Sequence, residues 1–298
     1  MSITYTAARM DGKICLVTGA TRGLGLATAV ELAKLGAHVV IAGRNAARID
    51  AALDSIRGYA PGSSPDSLLA DLSSLRQVRA LAGAFLQRYG ELDVLINNAG
   101  GTFLKYARTE DGYEHTWALN YLSQYLLTRL LLGPLRRAAA LRGEARVVGI
   151  SSNMYRLSKP EFDTAPDGSR HNGVMAYARS KRAMNMFTRS MAQRLTGTGV
   201  SINAMTPGMV ATNVANNNHG WAVRVMSILH EFATPLEKGV QPIVRLAAAP
   251  DVRGVSGAYF VKFQQRPVDP TCDDPAQLDN LWRISSQATG LPLEVASA

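Results

Sequence analysis

Tyr177 and Lys181 are separated by Ala178, Arg179 and Ser180 in a stretch whose apolar residues Ala176, Ala183, Met184 and Phe187 keep helical spacing. Four residues make about one helical turn, so the phenol and the ammonium are neighbours on one face. A free tyrosine has a pKa of about 10 and is a poor base near neutrality. A fixed positive charge beside it favours the phenolate, which predicts a lowered pKa and suits general acid/base work. A second candidate lies upstream, where Gly19-Ala20-Thr21-Arg22-Gly23-Leu24-Gly25 follows the apolar run Ile14–Thr18 and opens a helical pattern. Glycine there lets backbone N–H groups close on a pyrophosphate at a helix N-terminus. Glycines alone are a weak signal; their place between a strand and a helix is the stronger one.

The elements that must position these residues alternate. Ile14–Thr18, His38–Ala42, Ser67–Ala70, Asp93–Asn97, Ala145–Ser151, Val200–Met205 and Ala258–Val261 read as strands. They are nearly continuous apolar runs, as expected of strands covered on both faces. Helical patterns lie between them over Leu24–Leu35, Asn45–Gly58, Leu75–Tyr89, Asp111–Ala140, Met175–Leu195 and Glu237–Ala248. This succession predicts the α/β class: a single Rossmann-type, doubly wound parallel sheet of about seven strands with helices on both faces. The expected organisation is a tail over 1–10, a dinucleotide-binding and catalytic domain over 11–262, and a C-terminal extension over 263–298 packed on it. The long connections Asn153–Gly173 and Met209–Pro235 read as functional loops, the second (about 209–235) as a substrate lid.

The end of the second strand bears on the cofactor. Sites for NAD place an acidic residue there to bond the ribose 2′-hydroxyl, whereas NADP sites supply a cation for the 2′-phosphate. Here the chain reads Ala42-Gly43-Arg44-Asn45, with no carboxylate. Arginine offers a planar fork suited to phosphate oxygens. Either Arg22 or Arg44 alone would pass as a surface residue; both together, with the acidic residue absent, predict NADP(H).

The segment Thr18–Gly25 resembles the TGxxxGxG loop of the short-chain dehydrogenase/reductase family, and Asn97-Asn98-Ala99-Gly100 and Tyr177/Lys181 resemble its NNAG and YxxxK motifs in the same order. The resemblance implies a cofactor site of Gly19, Thr21, Arg22, Gly23, Leu24, Gly25, Arg44, Asp71, Leu72, Asn98, Ala99, Gly100, Tyr177, Lys181, Pro207, Gly208, Val210 and Thr212. In it Asp71 would contact adenine and Thr212 the nicotinamide carboxamide. It implies a catalytic set of Asn120, Ser152, Tyr177 and Lys181, with Ser152 holding the substrate oxygen and Asn120 reaching Lys181 through water. The function implied is hydride transfer between NADPH and a carbonyl or alcohol, with Tyr177 as general acid/base. Alternatives are reduction of a C=C bond and a non-catalytic NADP-binding regulator. The stretch Thr109–Leu132 and the wide Ser152–Tyr177 spacing are similar to the retinol dehydrogenase, WW-domain oxidoreductase and protochlorophyllide reductase branch. Phe103, Leu104, Met154, Tyr155, Met209, Trp221, Met226 and Phe232 border the pocket in such folds. They suggest an apolar or aromatic substrate, although such residues equally fit a plain core. A homodimer or homotetramer would suit the family.

Composition sets outer bounds. Of 298 residues 47% are hydrophobic and 18% charged, which suits an ordinary globular chain. The formal net charge of +9 favours anionic partners. The arginines are scattered, without a basic tract or aromatic interleaving, so nucleic-acid binding is not expected. Cys15 and Cys272 offer neither a disulfide framework nor a zinc site, and no metal is expected. Cys15 sits in an apolar run and reads as a small buried hydrophobe. No apolar stretch reaches the ~18 residues of a membrane span and the start does not read as a signal peptide, so no anchor and a cytoplasmic location are expected.

Overall fold

A computed structural model describes residues 6–162, 171–208 and 236–295. The expectations placed on Met209, Val210, Thr212, Trp221, Met226, Phe232 and the 209–235 lid lie outside the described residues. The seven expected strands are present: β1 (Ile14–Thr18), β2 (His38–Gly43), β3 (Asp66–Leu69), β4 (Val94–Asn97), β5 (Ala145–Ile150), β6 (Val200–Thr206) and β7 (Tyr259–Val261). An eighth, β8 (Gln264–Arg266), pairs antiparallel with β7. The order β3-β2-β1-β4-β5-β6-β7-β8 is parallel as far as β7 and reverses direction of travel between β1 and β4. Ligands bind at the carboxyl ends of the strands beside such a switch point.

Side chains alternate between the two faces of each strand, and each face has its own core. Leu16, Val40, Leu95, Val147 and Ile202 point to one side, where α3 (Leu75–Arg88), α5 (Ser123–Leu130) and α7 (Gly173–Arg194) cover them. Cys15, Val17, Ile41, Ile96, Val148 and Met205 point to the other, under α1 (Gly23–Lys34), α2 (Ala46–Tyr59) and α8 (Leu236–Ala248). Full burial of each such aliphatic side chain contributes about 1.5–3 kcal/mol. Cys15 has no exposed surface, and burial raises its thiol pKa, which suits an inert core residue.

The helix expected over Asp111–Ala140 is built differently. It starts later, at α4 (His115–Trp117), because the Glu114 carboxylate accepts from Thr116 N and Trp117 N and caps it. A π-helical turn over Ala118–Leu122 follows, then α5, then α6 (Leu132–Arg142). Beyond β8, α9 (Pro275–Thr289) is capped by Asp274 and packs Trp282 against Tyr125 and Phe187 of α5 and α7. Ser285 and Ser286 of α9 bond the Tyr121 and Tyr125 hydroxyls at 2.6 and 2.7 Å.

Candidate active site

Asn45, Ser74, Asn172 and Asp274 cap the N-termini of α2, α3, α7 and α9 with side-chain oxygens. The α1 terminus has no such cap: Arg22 makes no capping bond, and no acidic residue lies in the first turn. Its free N–H groups and positive dipole end are therefore open to an anion. The loop leading into it is pressed against the loop that follows β4. Gly19 has φ +64°, and a Cβ there would lie 2.8 Å from Ala99 Cα. The Thr18 hydroxyl ties the two loops, accepting from Asn98 N and Ala99 N at 3.0 Å and donating to Ile96 O. Asn98 Nδ2 donates to Thr18 O at 2.8 Å, and Gln124 Nε2 to Ala99 O at 3.0 Å. Thr18 and Gln124 are absent from the motif-derived set; Thr18, as the first residue of the TGxxxGxG pattern, could have been found there.

At the end of β2, a Cβ on Gly43 would lie 2.6 Å from Thr21 Cγ2, so the position that would carry an NAD-type carboxylate has no room for one as Thr21 stands. Arg44 is exposed and 3.8 Å from Asp71, whose carboxylate also accepts from Ser73 N and Oγ. Leu72 beside it is buried. The Arg22 guanidinium has no ion-pair or hydrogen-bond partner among the described residues. The two cations and the uncapped helix fit a phosphorylated dinucleotide in charge and in donor chemistry. His115, which the sequence reading passed over, also belongs to this end: burial lowers its pKa, with Asp71 opposing and Arg44 reinforcing. Its Nε2 is buried without a partner.

The residues expected to be catalytic converge where β5 meets α7. Tyr177 and Lys181 share one face of α7, with Nζ 5.5 Å from the phenol ring centroid. Ser152 follows β5; its oxygen accepts from Met154 N at 3.3 Å, which leaves its O–H for the Tyr177 phenol. Asn120 projects from the π turn with no exposed surface. Its Oδ1 accepts from Gly101 N at 2.8 Å, and its Nδ2 donates to Gly101 O and Ser180 Oγ at 2.9 and 3.0 Å. A side chain on Gly100 would meet both Asn120 Oδ1, at 3.1 Å, and Lys181 Nζ, at 3.5 Å, so the two groups border one space. Pro207 and Gly208 lie directly after β6.

One expectation is corrected here. The Tyr177 pKa is raised, not lowered: burial dominates, and among the described residues Ser152 opposes it. The reason is where Lys181 points. Its Nζ donates to Ile150 O at 2.7 Å, and burial brings its own pKa down to about 8. Tyr155 has no exposed surface and packs in the core. Met154 is exposed, while Phe103 and Leu104 are half-buried.

A twisted parallel sheet with a glycine loop at its switch point defines a Rossmann-type protein. Comparison with known proteins narrows this. The sequence pattern described as short chain dehydrogenase matches residues 13–222. Retinol dehydrogenase 14 of Mus musculus is 39% identical, over 95% of this chain and 87% of its own length. The crystal structure of an uncharacterised protein from Mycobacterium paratuberculosis superposes with a TM-score of 0.77 at 27% identity, covering 99% and 100% of the two chains. RhlG of Pseudomonas aeruginosa, in a complex with NADP, gives a TM-score of 0.68 at 28% identity, covering 85% and 95%. The chain belongs to the short-chain dehydrogenase family of nicotinamide-dependent oxidoreductases, in its retinol dehydrogenase branch.

Proposed function

We propose that this chain transfers hydride between NADP(H) and a carbonyl or alcohol carbon of an apolar or aromatic small molecule, with Tyr177 as general acid/base. The observation that carries the reading is the convergence of Tyr177, Ser152 and Lys181 at the carboxyl end of β5. In this reading Gly19, Thr21, Arg22, Gly23, Leu24 and Gly25 hold the diphosphate at the α1 terminus. Arg22 and Arg44 take the 2′-phosphate, and Asp71 and Leu72 face the adenine. Asn98, Ala99 and Gly100 line the middle, with Pro207, Gly208, Val210 and Thr212 at the nicotinamide end.

When bound, the reduced nicotinamide supplies the hydride. Tyr177 gives its proton to the carbonyl oxygen, and Ser152 donates a hydrogen bond to that oxygen as negative charge develops on it. Burial keeps the phenol protonated at neutral pH, the form that reduction requires. Lys181 and Asn120, bordering one space, return a proton to Tyr177 through water. Oxidation needs the phenolate instead, so alcohol oxidation is expected to accelerate with rising pH. Exposed Met154, Leu157, Val174 and Met175, on the turn after Ser152 and the first turn of α7, support an apolar substrate.

The test is titration of the purified protein with NADPH and NADH by nicotinamide fluorescence, followed by product analysis with apolar aldehydes, ketones and enones. NADPH binding at least tenfold tighter and alcohol products support the reading. An NADH preference overturns the assignment of Arg22 and Arg44, and saturated ketones from enones overturn the carbonyl chemistry.

A further inference from the structure

Arg182 follows Lys181 on α7 and is 2% exposed. A guanidinium stays charged in proteins and is costly to bury unless its donors are used. Here Nε donates to Tyr155 O at 3.3 Å, and Nη1 donates to Thr271 Oγ1 at 2.6 Å and to Cys272 Sγ at 3.4 Å. The Asp269 carboxylate lies 3.6 Å away and balances the charge. Neighbours on a helix are about 100° apart around its axis, so Lys181 and Arg182 reach in different directions. Lys181 takes the carbonyl of Ile150, and Arg182 takes the carbonyl of Tyr155. Only Ser151, Ser152, Asn153 and Met154 lie between those two carbonyls. The helix that carries Tyr177 thus grips the Ser152 segment at both ends.

Two further bonds brace the distal grip. Asp269 N donates to the Tyr155 hydroxyl at 2.9 Å, and the Tyr259 hydroxyl donates to Asn153 Oδ1 at 2.8 Å. Tyr155 has no exposed surface and packs its ring edge-on to Tyr259 at 5.4 Å. Residues 269–272, outside the region that the family pattern matches, are therefore tied to the turn that begins at Ser152.

We propose that Arg182 is a positioning residue: by holding Tyr155 O against residues 269–272 of the C-terminal segment, it sets the Ser152 hydroxyl against the Tyr177 phenol. In its kinetic consequence this rests on the function proposed above, but the geometry it asserts does not. The experiment therefore has two arms. In the first, protein labelled with 13C at tyrosine Cζ is examined by NMR at pH 7, with the Tyr177 signal assigned by its loss in Tyr177→Phe. Ser152→Ala should move that signal, Arg182→Lys should move it the same way, and the double variant should move it no further. In the second, turnover is measured for wild type, Ser152→Ala, Arg182→Lys and the double variant. Ser152→Ala should lower kcat by about 10²-fold or more, the scale of a lost oxyanion donor. Arg182→Lys should lose most of that factor with NADPH Kd within twofold of wild type, and the double variant should match Ser152→Ala. Thr271→Val, at an exposed partner of the same guanidinium, serves if Arg182→Lys does not fold and should shift the signal in the same direction. An unmoved Tyr177 signal in Arg182→Lys or Thr271→Val, or additive losses in the double variant, overturns the proposal. Absence of turnover in wild type would refute the function while the NMR arm still decides the role of Arg182.

Discussion

Burial acts on Tyr177 and Lys181 in the same sense, against the charged form of each. For Lys181 the consequence can be measured in stability. Its pKa falls from 10.5 to about 8 on folding, so between those values the unfolded chain binds more protons and stability rises with pH. That contribution is fully present above the unfolded value and is lost as pH falls through about 8. Lys181→Met should abolish it. In urea titrations the wild type should gain up to about 3 kcal/mol on the variant between pH 8 and 10.5, at about 1.4 kcal/mol per pH unit; a pH-independent difference would contradict the burial argument. At the other end of the site, the Thr21 methyl as it stands would lie 2.6 Å from a Cβ at position 43 and would have to move to admit a side chain there. Gly43→Asp alone should therefore weaken NADPH binding at least tenfold without conferring NADH binding. Gly43→Asp with Thr21→Ser, which removes the obstructing methyl, should bind NADH, and a full switch by the single substitution would show that Thr21 is no obstacle.

The elements differ in how far the chain declares them. Buried strands declare themselves as apolar runs, and all seven were legible in the sequence; so was the order of the glycine loop, the β4 loop and the Tyr177 helix. The π turn over Ala118–Leu122 was not, because it depends on tertiary bonds from Asn120 to Gly101 and Ser180. Such insertions are frequent at functional sites. Strand β8 was equally hidden. Its residues Gln264, Gln265 and Arg266 are exposed and show no alternation, and pairing with β7 through a turn at Lys262, with φ +54°, creates it. The direction of the Tyr177 pKa escaped for a related reason: spacing puts Lys181 beside the phenol, but Ile150 O decides where the ammonium points. Helix α9 gives the element-scale prediction. Trp282 is 4% exposed among Tyr125, Phe187, Arg129 and Arg194. Trp282→Ala should cost about 3–5 kcal/mol in denaturant unfolding, the range for a buried aromatic. NADPH affinity of the folded fraction should be retained, since α9 lies away from the α1 terminus; a loss below 1 kcal/mol would mean that α9 is not part of the core.

For the whole molecule, the net charge of +9 biases the surface toward anions, and no helix among the described residues is long and apolar enough to cross a membrane. Screening by salt acts on charge, and NADPH carries a phosphate that NADH lacks. Raising sodium chloride from 0.05 to 0.5 M (working concentrations of about this size suffice) should weaken NADPH more than NADH; parallel losses would remove Arg22 and Arg44 from cofactor choice. The central claim is that one buried phenol moves the proton while NADPH provides the hydride. Its most direct test is NADPH oxidation with an apolar carbonyl substrate, followed at the nicotinamide absorbance for wild type and Tyr177→Phe, with NADPH Kd measured on both. The expected result is a kcat lowered by about 10²-fold or more, within or beyond the range for a lost general acid, at unchanged Kd. Tyr177→Phe turning over at the wild-type rate would contradict the account.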